Sequence, residues 1–158
     1  MNAKIANPTK EDVERLIDIY SAPHLYHTKE EAARYVKQFY DYHHIKVVKL
    51  NGALAGMLTW RVESEKHHGI MVLDDLWIEE GFRRRGLGEK LVKVSIEDAE
   101  GVFRKAGFAL RKVMLTTAED NVSARRLYEK LGFEKSAVLD DLYGKGGNEL
   151  VYILTLNP

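Results

Sequence analysis

Apolar positions along the chain recur with two periods, and the alternation between those periods sketches most of the elements. Val13, Leu16, Ile17 and Tyr20 repeat at helical spacing behind Thr9 and Asp12, a capping pair, and predict a helix ending near Ser21 and Ala22. Thr28 with Glu31 opens a second helix, whose stripe is Ala32, Tyr35, Val36, Phe39 and Tyr40 and whose acidic start suits the helix dipole. A short strand around Lys4 to Ala6 precedes both. Ile45 to Leu50 and Ala53 to Val62 read as two strands joined by Asn51-Gly52, a dipeptide that tolerates the positive φ of a tight hairpin turn. Gly69 to Glu79 is a third long strand. Its apolar phase runs through Met71 and Leu73, then through Leu76 and Ile78, so it slips across Asp74-Asp75 and points to a bulge there. Beyond it come a helix from about Gly86 to Lys105 and a strand Lys112 to Thr117. A helix from about Val122 to Leu131 and strands around Glu134 to Leu139 and Leu150 to Leu156 complete the pattern.

The order is therefore strand, two helices, three strands, helix, strand, helix, two strands. That is an α+β chain with a mixed sheet: the hairpins demand antiparallel neighbours, while the strand-helix-strand unit from Gly69 to Thr117 favours a parallel crossover. No repeat, linker or low-complexity tract interrupts it, and the prolines lie at Pro8, Pro23 and Pro158, so residues 1–158 are expected to form one domain. Lys and Arg number 24 and Asp and Glu 24, which leaves no overall field to draw the chain to nucleic acid or an anionic membrane. The absence of cysteine removes disulfides, thiolate metal sites and a cysteine nucleophile. Met1 to Lys10 lacks the apolar core of a signal peptide, and no run approaches the roughly eighteen apolar residues of a membrane span. A cytoplasmic chain is expected.

The segment with the most chemistry is Phe82-Arg83-Arg84-Arg85-Gly86-Leu87-Gly88, where a strand ends and a long helix begins. Unpaired amides at a helix N-terminus, the helix dipole and glycines that allow close approach together suit a pyrophosphate, and arginines add charge-assisted hydrogen bonds. The plainer reading is a solvated basic turn. The spacing is neither the three-glycine dinucleotide fingerprint nor a P-loop, which ends in Gly-Lys-Ser/Thr. His43-His44 and His67-His68 fall in turns without metal-ligand spacing, so the histidines are expected to be exposed polar side chains and no metal is expected.

Leu76-Trp77-Ile78-Glu79-Glu80-Gly81-Phe82-Arg83-Arg84-Arg85-Gly86-Leu87-Gly88 resembles motif A of the GNAT N-acetyltransferase superfamily, commonly L-x-V-x-P-x-x-R-G-x-G-x-G. Arg83, Gly86 and Gly88 match its R-x-x-G-x-G; Glu80 stands where proline is common and Arg84 where glycine is common. Asn121-Val122-Ser123-Ala124-Arg125-Arg126-Leu127-Tyr128-Glu129-Lys130-Leu131-Gly132-Phe133 is similar to motif B, N-x-x-A-x-x-L-Y-x-x-x-G-F, at every defining position. The resemblance implies a mostly antiparallel sheet of about seven strands flanked by about four helices, with central strands four and five splayed around acetyl-CoA. It implies that the backbone of Leu76, Trp77 and Ile78 pairs with the pantetheine arm and that amides from Arg84 to Glu89, including Arg85 and Leu87, hold the pyrophosphate. Asn121 would touch the pantetheine or neighbouring backbone, or serve only as a helix N-cap. Tyr128 corresponds to the tyrosine that in many relatives protonates the departing thiolate, unless it merely packs beside Leu127 and Leu131. Asp74 stands where several relatives carry a glutamate that deprotonates the amine. Adjacent strand residues point to opposite faces, so only one of Asp74 and Asp75 should face the cleft unless the bulge re-aims both. A carboxylate there is either a base or the electrostatic partner of an alkylammonium.

The expectation is direct transfer from acetyl-CoA to a primary amine in a ternary complex, without metal, by a monomer or homodimer. The acceptor is a cationic small amine or polyamine, on the strength of Asp74-Asp75, or a peptide N-terminus, since the tail Asp141 to Glu149 looks like that of ribosomal-protein-type N-terminal acetyltransferases. Its wall should come from Leu25 to Lys29 and from the Leu142 to Asn148 turn. The competing classes are an acyl-CoA-binding module without turnover and a nucleic-acid binder using Arg83 to Arg85, Arg125 and Arg126, which the neutral total charge disfavours.

Overall fold

The computed structural model describes residues 3–21 and 28–156. Strands β1 (Ala3–Ala6), β2 (His44–Leu50), β3 (Ala53–Val62), β4 (Ile70–Ile78), β5 (Lys112–Ala118), β6 (Glu134–Leu139) and β7 (Glu149–Thr155) form one sheet in the order β1-β2-β3-β4-β5-β7-β6. Helices α1 (Lys10–Tyr20) and α2 (Lys29–Tyr42) cover one face; α3 (Leu87–Lys105) and α4 (Val122–Lys130) cover the other. This is the expected α+β architecture. No described helix is long and apolar enough to cross a membrane.

Local chemistry sets the boundaries. Thr9 and Asp12 form a reciprocal capping box, with Thr9 N–H donating to Asp12 Oδ2 at 2.8 Å, and Thr28 with Glu31 forms a second at 2.7 Å. Asp12 is also paired with Lys49 of β2 at 2.9 Å, which pins the start of α1 to the sheet. Asn51 and Gly52 both take positive φ, 50° and 86°, the backbone of a type I′ turn, and so close the β2–β3 hairpin. Two short 3₁₀ turns, Lys66–His68 and Glu80–Phe82, lie where the sequence pattern is silent.

One core lies beneath α3 and α4, centred on Leu58, Trp60, Met71, Leu91, Phe103, Leu115 and Tyr152; a smaller one joins Leu16, Val36 and Phe39 to Ile45, Val47 and Met57 beneath α1 and α2. Between them the sheet opens. All pairs along the sheet are antiparallel except β4 with β5, and that parallel pairing runs only from Ile70↔Lys112 to Val72↔Met114. Past this point β4 follows β3 to Ile78 while β5 follows β7 to Ala118, so the two inner edges part and their backbone groups face a gap.

Candidate active site

Two left-handed backbone positions shape the segment between β4 and α3: Arg84 at φ 60° and Gly86 at φ 72°. Gly86 is the N-cap of α3, no side chain caps the helix there, and Lys90 N–H returns to the Gly86 carbonyl at 3.1 Å. The amides of Leu87, Gly88 and Glu89 therefore lack helical acceptors and point along the positive end of the dipole. A Cβ built on Gly86 would meet nothing within 4 Å, so the ground ahead of these amides is open. Gly88 serves a different purpose: a Cβ there would lie 3.2 Å from Leu127 Cδ2, so its absence lets α4 close against α3.

The arginines divide the work. Arg83 Nε donates to the Ile78 carbonyl at 3.0 Å, and Arg85 donates to the Gly81 carbonyl at 3.2 Å with its guanidinium over the Phe82 ring. Both fasten the loop. Arg84 has no polar partner among the described residues, and its left-handed φ explains why glycine is common at this motif position. The Glu89 carboxylate, which would oppose an anion, is held by Lys130 at 2.6 Å and Lys93 at 2.8 Å; their hydrogen bonds pull its pKa down to about 2.

Leu76, Trp77 and Ile78 line the gap's β4 edge, paired on their other side with Leu58, Met57 and Gly56. Asn121 caps α4, its side chain accepting from Ala124 N–H at 3.2 Å, which gives it the structural role in full. Tyr128 stands on α4 at 6% exposure, its ring beside those of Phe133 and Tyr152. Burial, then the charge of Asp75, push its phenol up to about 12. Asp75 itself hydrogen-bonds on the α1–α2 side of the sheet.

The acidic pair owes its placement to the bulge. Met71 and Leu73 pack into the core beneath α3, and so do Leu76 and Ile78, whereas Trp77 packs on the α1–α2 side. The register steps from Trp60↔Leu73 to Leu58↔Leu76, leaving Asp74 and Asp75 opposite Thr59 alone. Parity then turns both carboxylates toward α1 and α2, against strict alternation. Asp75 N–H donates to Thr59 Oγ1 at 3.1 Å, and Asp75 Oδ2 accepts from Tyr20 OH at 3.1 Å and Tyr35 OH at 3.4 Å. Asp74 Oδ2 lies 3.2 Å from His43 Nδ1 and 3.3 Å from Arg61 Nε, and Arg61 also pairs with Glu63. Burial raises both carboxyls above the ordinary range; Arg61 and His43 oppose the rise at Asp74, and the two phenols oppose it at Asp75.

The expectation of exposed histidines fails at His43 and holds at its neighbour His44, which is exposed. His43 is the C-cap of α2, with a side chain 13% exposed, packed on Phe39 and facing Asp74; His44 stacks on Trp60 at 3.9 Å. The apolar stripe of α2 simply continues to position 43, four residues past Phe39, and that continuation was the available signal. Tyr20 and Tyr35 belong to the apolar stripes of α1 and α2, and their hydroxyls reach Asp75. Of the expected acceptor wall, residues 22–27 lie outside the described residues. The other side is present as a loop in which Asp141 Oδ1 accepts from Gly146 N–H and Tyr143 is 80% exposed; it borders a hollow of about 530 Å³ with Glu119, Asp120 and Glu149.

Comparison with known proteins agrees with this geometry. Residues 13–133 match the model of the acetyltransferase (GNAT) family. The chain is 28% identical over 104 residues to a spermine/spermidine N(1)-acetyltransferase of Bacillus subtilis, covering 62% of this chain and 65% of that protein. It is 28% identical over 107 residues to N-alpha-acetyltransferase 30 of Dictyostelium discoideum, covering 68% of this chain and 55% of that protein. The matches thus span less than two thirds of these relatives' lengths. Among solved structures, yncA of Salmonella typhimurium, determined with its cofactor acetyl-CoA, superposes with a TM-score of 0.75 at 18% identity, covering 100% of this chain and 96% of that one. With two thirds or more of its length under the family model and both sequence motifs at the open seam of the sheet, the chain belongs to the acetyltransferase (GNAT) family.

Proposed function

We propose that the chain transfers an acetyl group from acetyl-CoA to a cationic primary amine by direct attack in a ternary complex. The observation that carries this reading is the parting of β4 and β5 directly below an uncapped helix N-terminus, with Tyr128 on one face of the gap and Asp74-Asp75 on the other. The residues suit the coenzyme. Free amides of Leu87, Gly88 and Glu89, open ground before Gly86 and the unpartnered Arg84 fit a pyrophosphate, and the bare β4 edge at Leu76 to Ile78 fits an amide-bearing chain that pairs like a strand.

In this reading the acceptor enters from the α1–α2 side as an alkylammonium, attracted by the acidic pair. It gives up a proton before attack, and the carboxyls' raised pKa values make them better bases than an ordinary aspartate. The amine nitrogen bonds to the thioester carbonyl carbon, an N–H of the β4 edge steadies the oxyanion, the carbon–sulfur bond breaks, and the second proton that the nitrogen sheds ends on the coenzyme sulfur. Tyr128 faces the leaving thiolate. With its phenol near 12 and a thiol near pKa 8.5, full proton transfer is uphill by about 3.5 pKa units, so Tyr128 contributes chiefly as a hydrogen-bond donor until the local charge falls.

The named activities of the two relatives support two acceptor classes, polyamine and peptide N-terminus. Coenzyme-thiol release should be followed with spermidine, a short peptide with a free N-terminus, a neutral amide and an anionic amino acid, with product masses determined. Release that requires spermidine and adds an acetyl mass to it supports the proposal. Preference for the peptide moves the acceptor to the second class, and coenzyme binding without amine-dependent release reduces the chain to a binding module.

A further inference from the structure

We propose that Asp75, gripped by the phenols of Tyr20 and Tyr35, and not its neighbour Asp74, is the carboxylate that receives the acceptor's alkylammonium group. The proposal rests on the transfer reading for its context and identifies the group within that site that selects the substrate. Asp74 already has a cation. Arg61 lies 3.3 Å from its Oδ2 and His43 3.2 Å from the same atom, so an incoming ammonium would have to compete with a resident guanidinium.

Among the described residues, Asp75 has no such ion-pair partner. Its hydrogen-bonding side chains are neutral phenols, and both donate to Oδ2. Oδ1 accepts no hydrogen bond among the described residues. A largely buried carboxylate held by neutral donors, with one oxygen that accepts no hydrogen bond among the described residues, lacks a counter-cation there. Burial and the charge of Asp75 keep both phenols protonated, Tyr35 at about 12 and Tyr20 raised further, so they remain donors at any working pH. Their rings stand 5.2 Å apart at 68°, presenting aromatic surface beside the carboxylate, which suits a slender CH₂–NH₃⁺ end.

The arrangement links three elements that the sheet alone does not join. Tyr20 ends α1, Tyr35 lies within α2 and Asp75 sits in the β4 bulge, so one carboxylate ties the helical cover to the floor of the gap. It also reaches the chemistry. The charge of Asp75 raises the Tyr128 phenol, and an ammonium at Asp75 would cancel that charge, making Tyr128 a better acid only when an acceptor is in place. Among the described residues, the charged or titratable groups that face Asp75 are Tyr20 from α1, Tyr35 and His43 from α2, Asp74 on β4 and Tyr128 from α4, while Arg61 is paired with Asp74.

The test is calorimetric binding of spermidine to the full chain saturated with coenzyme A, which needs no turnover. Asp75→Asn keeps the shape and removes the charge, and a charge-assisted hydrogen bond at a buried site corresponds to about a thirtyfold loss of affinity. Asp74→Asn should lose at least tenfold less. Tyr20→Phe and Tyr35→Phe remove donors that lower the Asp75 pKa, so each should move the acidic limb of spermidine binding to higher pH, a shift that mere packing roles would not produce. These two variants carry the test if Asp75→Asn fails to fold, as judged by coenzyme affinity. Spermidine binding that stays within twofold in Asp75→Asn, a larger loss in Asp74→Asn, an acidic limb unmoved in both tyrosine variants, or no binding by the unaltered chain overturns the proposal. Intact spermidine binding without acetyl transfer would instead refute the proposed function and leave this inference standing.

Discussion

Substitution at Gly86 separates what the loop does for the fold from what it does for the coenzyme. Gly86 has φ 72° and ψ 10°, and a Cβ there would touch nothing within 4 Å. Gly86→Ala therefore meets no clash and loses only the ease of the left-handed backbone, about 1 kcal/mol, which for a chain of this size lowers Tm by about 2–4 °C. Gly86→Asp carries the same backbone penalty, but its carboxylate can accept from the free amides of α3 and recover about 1 kcal/mol as a cap. That very contact fills the anion site. Like charges about 4 Å apart at an effective dielectric constant near 20 repel by about 4 kcal/mol, and half that after partial screening still predicts roughly a thirtyfold loss of coenzyme affinity. Isothermal titration with acetyl-CoA and a thermal melt on both variants give the two quantities independently. The Asp variant should melt within a few degrees of the unaltered chain, bind at least thirtyfold more weakly and recover partly at high salt. Unchanged coenzyme affinity in a folded Gly86→Asp variant would refute the placement of the pyrophosphate at α3.

Tyr128→Phe keeps the ring that packs on Phe133 and Tyr152, so coenzyme affinity and Tm should hold while kcat falls by about a hundredfold; a fall of less than twofold with chemistry rate-limiting makes the residue structural. Arg84→Gly relieves a left-handed φ of 60° but frees the unfolded chain, so unfolding free energy should rise by no more than about 1 kcal/mol while coenzyme affinity drops with the lost charge. At Asp12, burial alone would raise the carboxyl, but hydrogen bonds from Lys49 and Thr9 outweigh it and the folded pKa is lowered. A depressed folded pKa gives stability that is present above the unfolded value, near 4, and is lost as pH falls through the folded one; Asp12→Asn should lower stability at pH 7 by urea melts and flatten that acid limb.

The sequence carried the local logic of this fold well. Capping boxes at Thr9 and Thr28 and the Asn51-Gly52 turn depend on neighbours in the chain, so their residue types were enough. The bulge was legible because an apolar phase slip is itself a pattern, but its consequence was not: that both carboxylates face α1 and α2 requires knowing which core each side of β4 serves. Tyr20 and Tyr35 meet Asp75 across 55 and 40 residues, and His43 meets Asp74 across a helix end; such contacts are set by packing and leave no periodic trace. The loop arginines show the converse. Their charge suggested three phosphate ligands, whereas two of them spend hydrogen bonds on loop carbonyls, which becomes visible only once the turn geometry is known.

If coenzyme and amine meet through the gap between β4 and β5, two-substrate steady-state kinetics must show both bound together. A chain without cysteine that transfers the acetyl group directly must hold both substrates at once. Varying acetyl-CoA at several fixed spermidine concentrations should give intersecting double-reciprocal lines, with no acetylated protein detectable by mass when the amine is omitted. Parallel lines accompanied by a stable acetyl-protein would contradict the claim.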